Sequence, residues 1–399
     1  MTNEPAPALA GLRVIELASI LAGPITGQFL AELGADVIKV ENPATGGDPT
    51  RSWRLASEAE DADPCAYFSC ANWGKRSIAL NVATPSGRQV IHDLARRADV
   101  VIASYKPGDA ARLDLDAEAL RAVNPALIYA EISAYGDADP RPGFDAIIQA
   151  EAGFTHLNGE ADGPPVKMPV ALMDLLAAHQ LKEGILLALL ARLGGNGGRH
   201  VRVSLLDAGI ASLANQASNY LVGGVVPRRM GSEHPNIVPY GAVYRLRDGR
   251  ELVLAVGTER QWQRLTEAVG RPDLAAHADY ADNAARVRNR LALHETLART
   301  FADLDAATAR SRLEAGGVPF GFVNDMADVF RQQGAGRLLL DGGGLRGVRS
   351  FVASGITTAS ALSPPPRCNA HGREILTGQL GYDQARLQTL ASEGAWTPG

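Results

Sequence analysis

The first third of the chain repeats one pattern: a short run rich in valine and isoleucine, then a stretch with helical periodicity. LRVIEL (12–17), DVIKVE (36–41), SIALNV (77–82), DVVIASY (99–105) and ALIYAEISAYG (126–136) are the apolar runs. Between them lie ITGQFLAELG (25–34), GRQVIHDLARRA (87–98) and AEALRAV (117–123). Apolar runs this short, bounded by turn residues, read as strands buried on both faces. Strands that alternate with helices pair in parallel through right-handed crossovers. The pattern predicts an α/β fold whose parallel sheet is covered on both faces.

The pattern then changes. DLLAAHQLKEGILLALLARL (174–193) is the longest helical stretch, followed by a glycine-rich turn, a strand and another helix up to about residue 221. GAVYRLRDGRELVLAV (241–256) reads as a hairpin around Asp248-Gly249. Arginine- and alanine-rich helical stretches follow it, so the region from 225 reads as a smaller α+β domain. A chain of 399 residues exceeds what one compact core encloses, which agrees with such a division. After about residue 330 the chain consists mostly of strand and turn patterns.

Composition excludes some functions. A net charge of -5 offers nucleic acid or acidic lipid no general attraction. The strongest apolar run, GILLALLA (184–191), is far short of the roughly 20 residues that span a bilayer. The N-terminus lacks the basic and apolar regions of a secretory signal. Cys65, Cys70 and Cys368 cannot all pair and match no zinc or redox spacing. A reduced, cytoplasmic protein without a structural metal is expected, with no nucleic-acid or membrane partner.

The first βαβ unit raises the possibility of dinucleotide binding, since Glu41 ends the second strand where an acidic residue can hold a ribose hydroxyl. However, Gly23 and Gly27 do not form G-x-G-x-x-G, and Pro24 stands between them. GGNGG (194–198) and GGG (342–344) lack the Lys-Ser/Thr ending of a phosphate loop and read as turns. Neither a pair of histidines at helical spacing nor a G-x-S-x-G elbow is present. Lys75, Arg76, Lys106 and Arg112 stand near predicted strand ends, where ligands collect, although each alone reads as a solvated surface charge.

Asp174, in PVALMDLLAAHQ (169–180), leaves two readings open. Aspartate favours the N-cap of a helix, and spacing alone puts that reading ahead. Yet apolar residues flank it on both sides, and a desolvated carboxylate is costly enough to mark a functional site.

Several blocks then resemble one family in order: GLRVIELASILAGPITGQFLAELGADVIKVENP, GDPTRSW, NWGKRSIALNVATPSGRQVIHDLARRADVVI, SYKPGDAARLDLDAEALRAVNPALIYAEISAYG, RPGFDAIIQAEAGFTHLNGEADGPP and HPNIVPYGAVYRLRDG. They are similar to the class III CoA-transferases, the group of formyl-CoA and carnitine CoA-transferases. The resemblance implies a large Rossmann-like CoA-binding domain (1–224), a small α+β domain (225–329) and a C-terminal segment (330–399) returning to the large domain. It further implies two subunits interlocked as a ring-like homodimer.

In such an enzyme Asp174 is the catalytic residue, moving CoA from an acyl-CoA to a free carboxylic acid through an aspartyl anhydride and an aspartyl-CoA thioester. Ile20, Ala22, Lys75, Tyr105, Arg112 and Phe144 match positions that line the CoA site, and Asp145 a substrate position. CoA and acyl-CoA are substrates, with no tightly bound cofactor. A small dicarboxylate, with succinyl-CoA as donor, is the expected pairing. Leu21 in place of a glutamine and Ser104 in place of an asparagine argue against oxalate. The alternatives are a 2-methylacyl-CoA racemase of the same fold and a non-catalytic CoA-binding protein. Phe144, where racemases carry a histidine, disfavours the racemase because phenylalanine moves no proton.

Overall fold

The computed structural model describes residues 5–398. They form two compact units: one of the segments up to Ala152, Pro169–Ala214 and from Gly336 onward, the other of Gly153–Met168 and Asn215–Ala335. The second unit thus takes residues 153–168 from within the region read as one domain, and begins at 215 rather than 225.

In the first unit the chain runs β1 (Arg13–Leu17), α1 (Ala22–Glu32), β2 (Asp36–Glu41), α2 (Ala66–Ser69), β3 (Lys75–Ala79), α3 (Pro85–Ala95) and β4 (Val100–Ala103). Then come α4 (Asp109–Arg112), α5 (Ala117–Val123), β5 (Ile128–Ser133) and α6 (Asp145–Glu151). Beyond α7 (Phe154–Leu157), which belongs to the second unit, lie α8 (Leu172–Leu193), β6 (His200–Ser204) and α9 (Leu205–Ala211). The six strands are parallel and ordered β3-β2-β1-β4-β5-β6.

One face of the sheet buries Ile15, Ile38, Val101 and Tyr129 beneath α3 and α5. On α8, Met173, Ala177, Leu181, Ile185 and Ala188 are buried at the spacing of a single helical stripe. Met173 opens that stripe, and this places the first turn of α8 against the rest of the unit.

Two boundaries depart from the periodicity. Helix α1 starts at Ala22, three residues before its apolar pattern, with Pro24 in the first turn. A proline is tolerated there because the first-turn amides have no partner within the helix. Strand β3 starts at Lys75, before the apolar run, because the lysine is buried against Glu16.

The chain from Gly336 forms a hairpin, β10 (Leu339–Gly342) with β11 (Leu345–Val348), and then covers the free edge of β3. His371 donates its N–H to the Ser77 carbonyl at 2.9 Å, and Ala79 donates to Asn369 Oδ1 at 3.0 Å. Leu387, Leu390 and Trp396 join the sheet core, so an exposed strand edge becomes interior.

In the second unit β7 (Tyr240–Arg245) and β8 (Glu251–Ala255) form the expected antiparallel hairpin, and β9 (Phe320–Phe322) adds a third strand. Gly249 takes the left-handed turn position with φ 84°. Helices pack on this sheet through Trp262, Leu293, Leu297 and Phe301. Among the described residues no helix is long and apolar enough to cross a membrane.

Candidate active site

The chain leaves β1 towards β2 and leaves β4 towards β5, so strand order reverses between these neighbours. In an open parallel sheet the loops part at such a point and leave a crevice beyond the strands' carboxyl ends. A cavity of about 280 Å³ lies there. Its wall is formed by Ser19–Gly23 after β1, Ser104–Pro107 after β4, Arg141–Phe144 before α6, and Asp174.

Asp174 is the third residue of α8, not its cap; Ala171 holds that place and makes no side-chain bond. Asp145 supplies the cap instead, its Oδ1 accepting the Met173 N–H at 2.8 Å and its Oδ2 the Gln149 amide at 2.8 Å. Among the described residues the Asp174 carboxylate makes no hydrogen bond and no ion pair. Burial pushes its pKa up from the ordinary value to about 7, and the negative charge of Asp145 adds to the effect. A helix N-terminus favours the anion. Here desolvation and like-charge repulsion outweigh it.

Behind the cavity lies a group of buried charges. Glu16 of β1 and Lys39 of β2 are register neighbours and pair at 3.0 Å. Lys39 reaches Asp48 at 2.8 Å, and Lys75 pairs with Glu16 at 2.7 Å. Two carboxylates thereby compensate two ammonium groups, which makes their burial tolerable. Burial alone would raise the Asp48 carboxyl, but Lys39 holds it below the usual range.

This arrangement fixes the surroundings of Lys75 and Glu41. Lys75 is fully buried, donating to Glu16, the Pro24 carbonyl and Asn72 Oδ1, and it does not line the cavity. Burial lowers its pKa to about 8. Glu41 has no oxygen free for a ribose. Arg51 grips it through two hydrogen bonds of 2.7 Å, and Ser77 and the Asp48 N–H bind it as well.

The glycines after β1 serve packing. A Cβ on Gly23 would stand 2.3 Å from that of Ala18, and one on Gly27 would stand 1.9 Å from Glu16 Oε2. GGNGG lies between α8 and β6, and in GGG Gly342 ends β10 while Gly343 and Gly344 turn the chain into β11.

A second cavity of about 440 Å³ adjoins the first, sharing Ser19 and Tyr105. Arg112 lines it; its exposed guanidinium pairs with Asp109 at 3.1 Å. Burial pushes the Tyr105 hydroxyl up to about 12, so it stays protonated at neutral pH. Ile20, Ala22 and Phe144 therefore meet Asp174 around the first cavity, while Tyr105 joins it to the second. Asp145 stands beside Asp174 through the start of α8.

Sequence reasoning missed Asp48, although GDPTRSW was among the matched blocks. A signal was available. LRVIEL and DVIKVE each carry a charge inside an apolar strand, at positions that pair across parallel neighbours.

The profile of CoA-transferase family III matches residues 9–372. A succinate–glutarate CoA-transferase of Agrobacterium fabrum is 39% identical over 94% of this chain and 97% of its own. The mouse succinyl-CoA:glutarate CoA-transferase is 33% identical over 97% and 89%. A succinyl-CoA:mesaconate CoA-transferase of Haloarcula hispanica is 37% identical over 81% and 82%. Among solved structures, a CaiB/BaiF family protein of Brucella suis superposes with a TM-score of 0.83 at 38% identity, covering 94% of this chain and 100% of that one. A protein of M. tuberculosis gives 0.81 at 31% identity, covering 93% and 99%.

Proposed function

The chain belongs to CoA-transferase family III, and from that premise we propose that Asp174 carries the acyl and CoA groups of a transfer between two dicarboxylic acids. The protein is a CoA-transferase, an enzyme that moves CoA from an acyl-CoA to a free carboxylic acid. Succinyl-CoA is the proposed donor and a small dicarboxylate such as glutarate the acceptor. The relatives named for succinyl-CoA, succinate and glutarate support this pairing.

In the proposed sequence the Asp174 carboxylate attacks the thioester carbonyl carbon. The C–S bond breaks, CoA leaves as thiolate with the electron pair, and an Asp174–acyl anhydride remains. The thiolate then attacks the Asp174 carbonyl carbon and expels the donor acid as carboxylate, leaving an aspartyl-CoA thioester. The acceptor carboxylate attacks that thioester, and the thiolate returns to the acceptor's carbonyl carbon, regenerating Asp174. Every step exchanges one nucleophile for another, so the thioester's energy is conserved and no proton transfer is needed.

The observation that carries this reading is the solitary Asp174 carboxylate in the switch-point cavity. With no hydrogen-bond partner among the described residues, its lone pairs are free to attack. The backbone N–H groups of Ala22 and Gly23, at the start of α1, also have no acceptor among those residues and lie in the same wall. Donors at a helix N-terminus suit the oxyanion that forms on the attacked carbonyl. Ile20, Leu21, Phe144 and Leu205 line the cavity with apolar surface, which limits hydrolysis of the anhydride by water. The adjoining cavity, with Tyr105 and Arg112, is the proposed seat of the CoA moiety. Racemisation would require proton-transfer groups on both faces of one carbon, and Phe144 offers none.

Incubation with succinyl-CoA, acid quench and peptide mass measurement test the proposal. A CoA or succinyl adduct is expected on the peptide holding Asp174 and absent from Asp174→Asn. Transfer from succinyl-CoA to glutarate is expected to fall roughly a thousandfold or more in that variant. Turnover retained in Asp174→Ala would overturn the mechanism.

A further inference from the structure

Ile20 has a φ of 71°, a region that a β-branched residue occupies only under constraint. The constraint is built from buried charge. The Asp48 carboxylate accepts the Ile20 N–H at 3.2 Å and pairs with Lys39 at 2.8 Å. Its Oδ1 also accepts the Thr50 N–H at 3.0 Å and the Thr50 hydroxyl at 2.7 Å, so protein donors occupy both oxygens. Lys39 in turn donates to the Ala18 carbonyl at 3.0 Å. One ion pair, Lys39–Asp48, therefore grips both ends of the turn from Ala18 to Ile20. The next residues are Leu21 and the first turn of α1, in the cavity wall shared with Asp174.

We propose that Asp48 is a positioning residue that locks the Ala18–Ile20 turn in its left-handed form and so aims the start of α1 at the reacting carbonyl. It acts through Ile20, since both of its carboxylate oxygens are already taken by protein donors. The inference rests on the Asp174 mechanism above and deepens it.

The test compares Asp48→Ala, Ile20→Gly and the double variant in kcat, in KM for succinyl-CoA, and in the rate of adduct formation on the Asp174 peptide. Asp48→Ala is expected to lower kcat by about 30- to 100-fold, since a shift of about 1 Å in a reacting geometry costs that much. KM should change by less than about threefold, because the lost interaction matters in the transition state. The double variant should regain about tenfold over Asp48→Ala, because glycine takes the left-handed turn without strain. A merely structural role predicts no rescue, as glycine loosens the turn further. Where Asp48→Ala does not fold, Asp48→Asn keeps the shape and one acceptor oxygen, and the same rescue is expected.

A kcat within about twofold of the parent, a loss confined to KM, or failure of rescue overturns the inference. Normal adduct formation in Asp48→Ala would sink this inference alone. Full turnover in Asp174→Asn would sink the mechanism beneath it.

Discussion

Burial raises the Asp174 pKa, and the negative charge of nearby Asp145 raises it further. Attack on a thioester requires the anion, and a group whose pKa has been raised to about 7 is substantially protonated below that pH. The rate of adduct formation should therefore rise with pH, with a midpoint near that value. Asp145→Asn removes the neighbouring negative charge, so the Asp174 anion becomes easier to form and the acid limb moves to lower pH. The amide that replaces the carboxylate retains an oxygen able to accept the Met173 N–H, which preserves the start of α8. A pH profile of single-turnover adduct formation checks this; an unmoved limb would show that burial alone sets the Asp174 pKa. Asp174 as a candidate nucleophile was legible in its block of sequence, whereas its ionisation was not. The spacing that suggested a helix cap could not reveal that Asp145, from another segment, supplies the cap.

At the scale of one element, α1 shows how close packing and chemistry constrain the same helix. Its Gly27 lets the helix rest against the Glu16–Lys75 ion pair, where a Cβ would lie 3.2 Å from Lys75 Cε as well as on top of the glutamate oxygen. Gly27→Ala improves helix propensity by about 1 kcal/mol. Overpacking costs about 1–3 kcal/mol, and displacing a buried ion pair costs about 3–5 kcal/mol more. The variant is therefore expected to be destabilised and to lose several degrees in Tm, measured by thermal denaturation. An unchanged or raised Tm would mean that the strand and its charges shift aside cheaply. The glycines near α1 were visible in the sequence but tested there only against a phosphate-binding spacing. Their contacts come from β1 and β3, and no local pattern contains those.

Across the whole molecule, the outer face of α8 is one feature that a single chain leaves unexplained. Leu186, Leu187, Leu190 and Leu193 are exposed at spacings that place them on one stripe. A contiguous apolar surface of this kind marks an interaction site. The occupant we propose is a second copy of the chain, as in the homodimer that the family resemblance implies. Sedimentation at twice the 42.1 kDa chain mass is expected, with Leu190→Asp shifting the protein towards the monomer. A monomeric parent chain would reject that assembly. The parallel α/β architecture followed from the alternation of apolar runs and helices. The strand order did not, because sequential alternation is compatible with more than one order of neighbours. The reversal between β1 and β4 is what creates the crevice.

The sequence by itself determined the class of fold, the hairpin at Gly249, the family and Asp174 as the candidate nucleophile. These rest on local periodicity, turn chemistry and ordered blocks, all carried by neighbours along the chain. Tertiary structure alone decided that Lys75 is buried against Glu16, that Glu41 is held by Arg51, and that Asp48 grips the Ile20 turn. Each outcome depends on which charges meet after the strands pair. Electrostatic energy is set by distance and burial in space, and separation along the chain specifies neither.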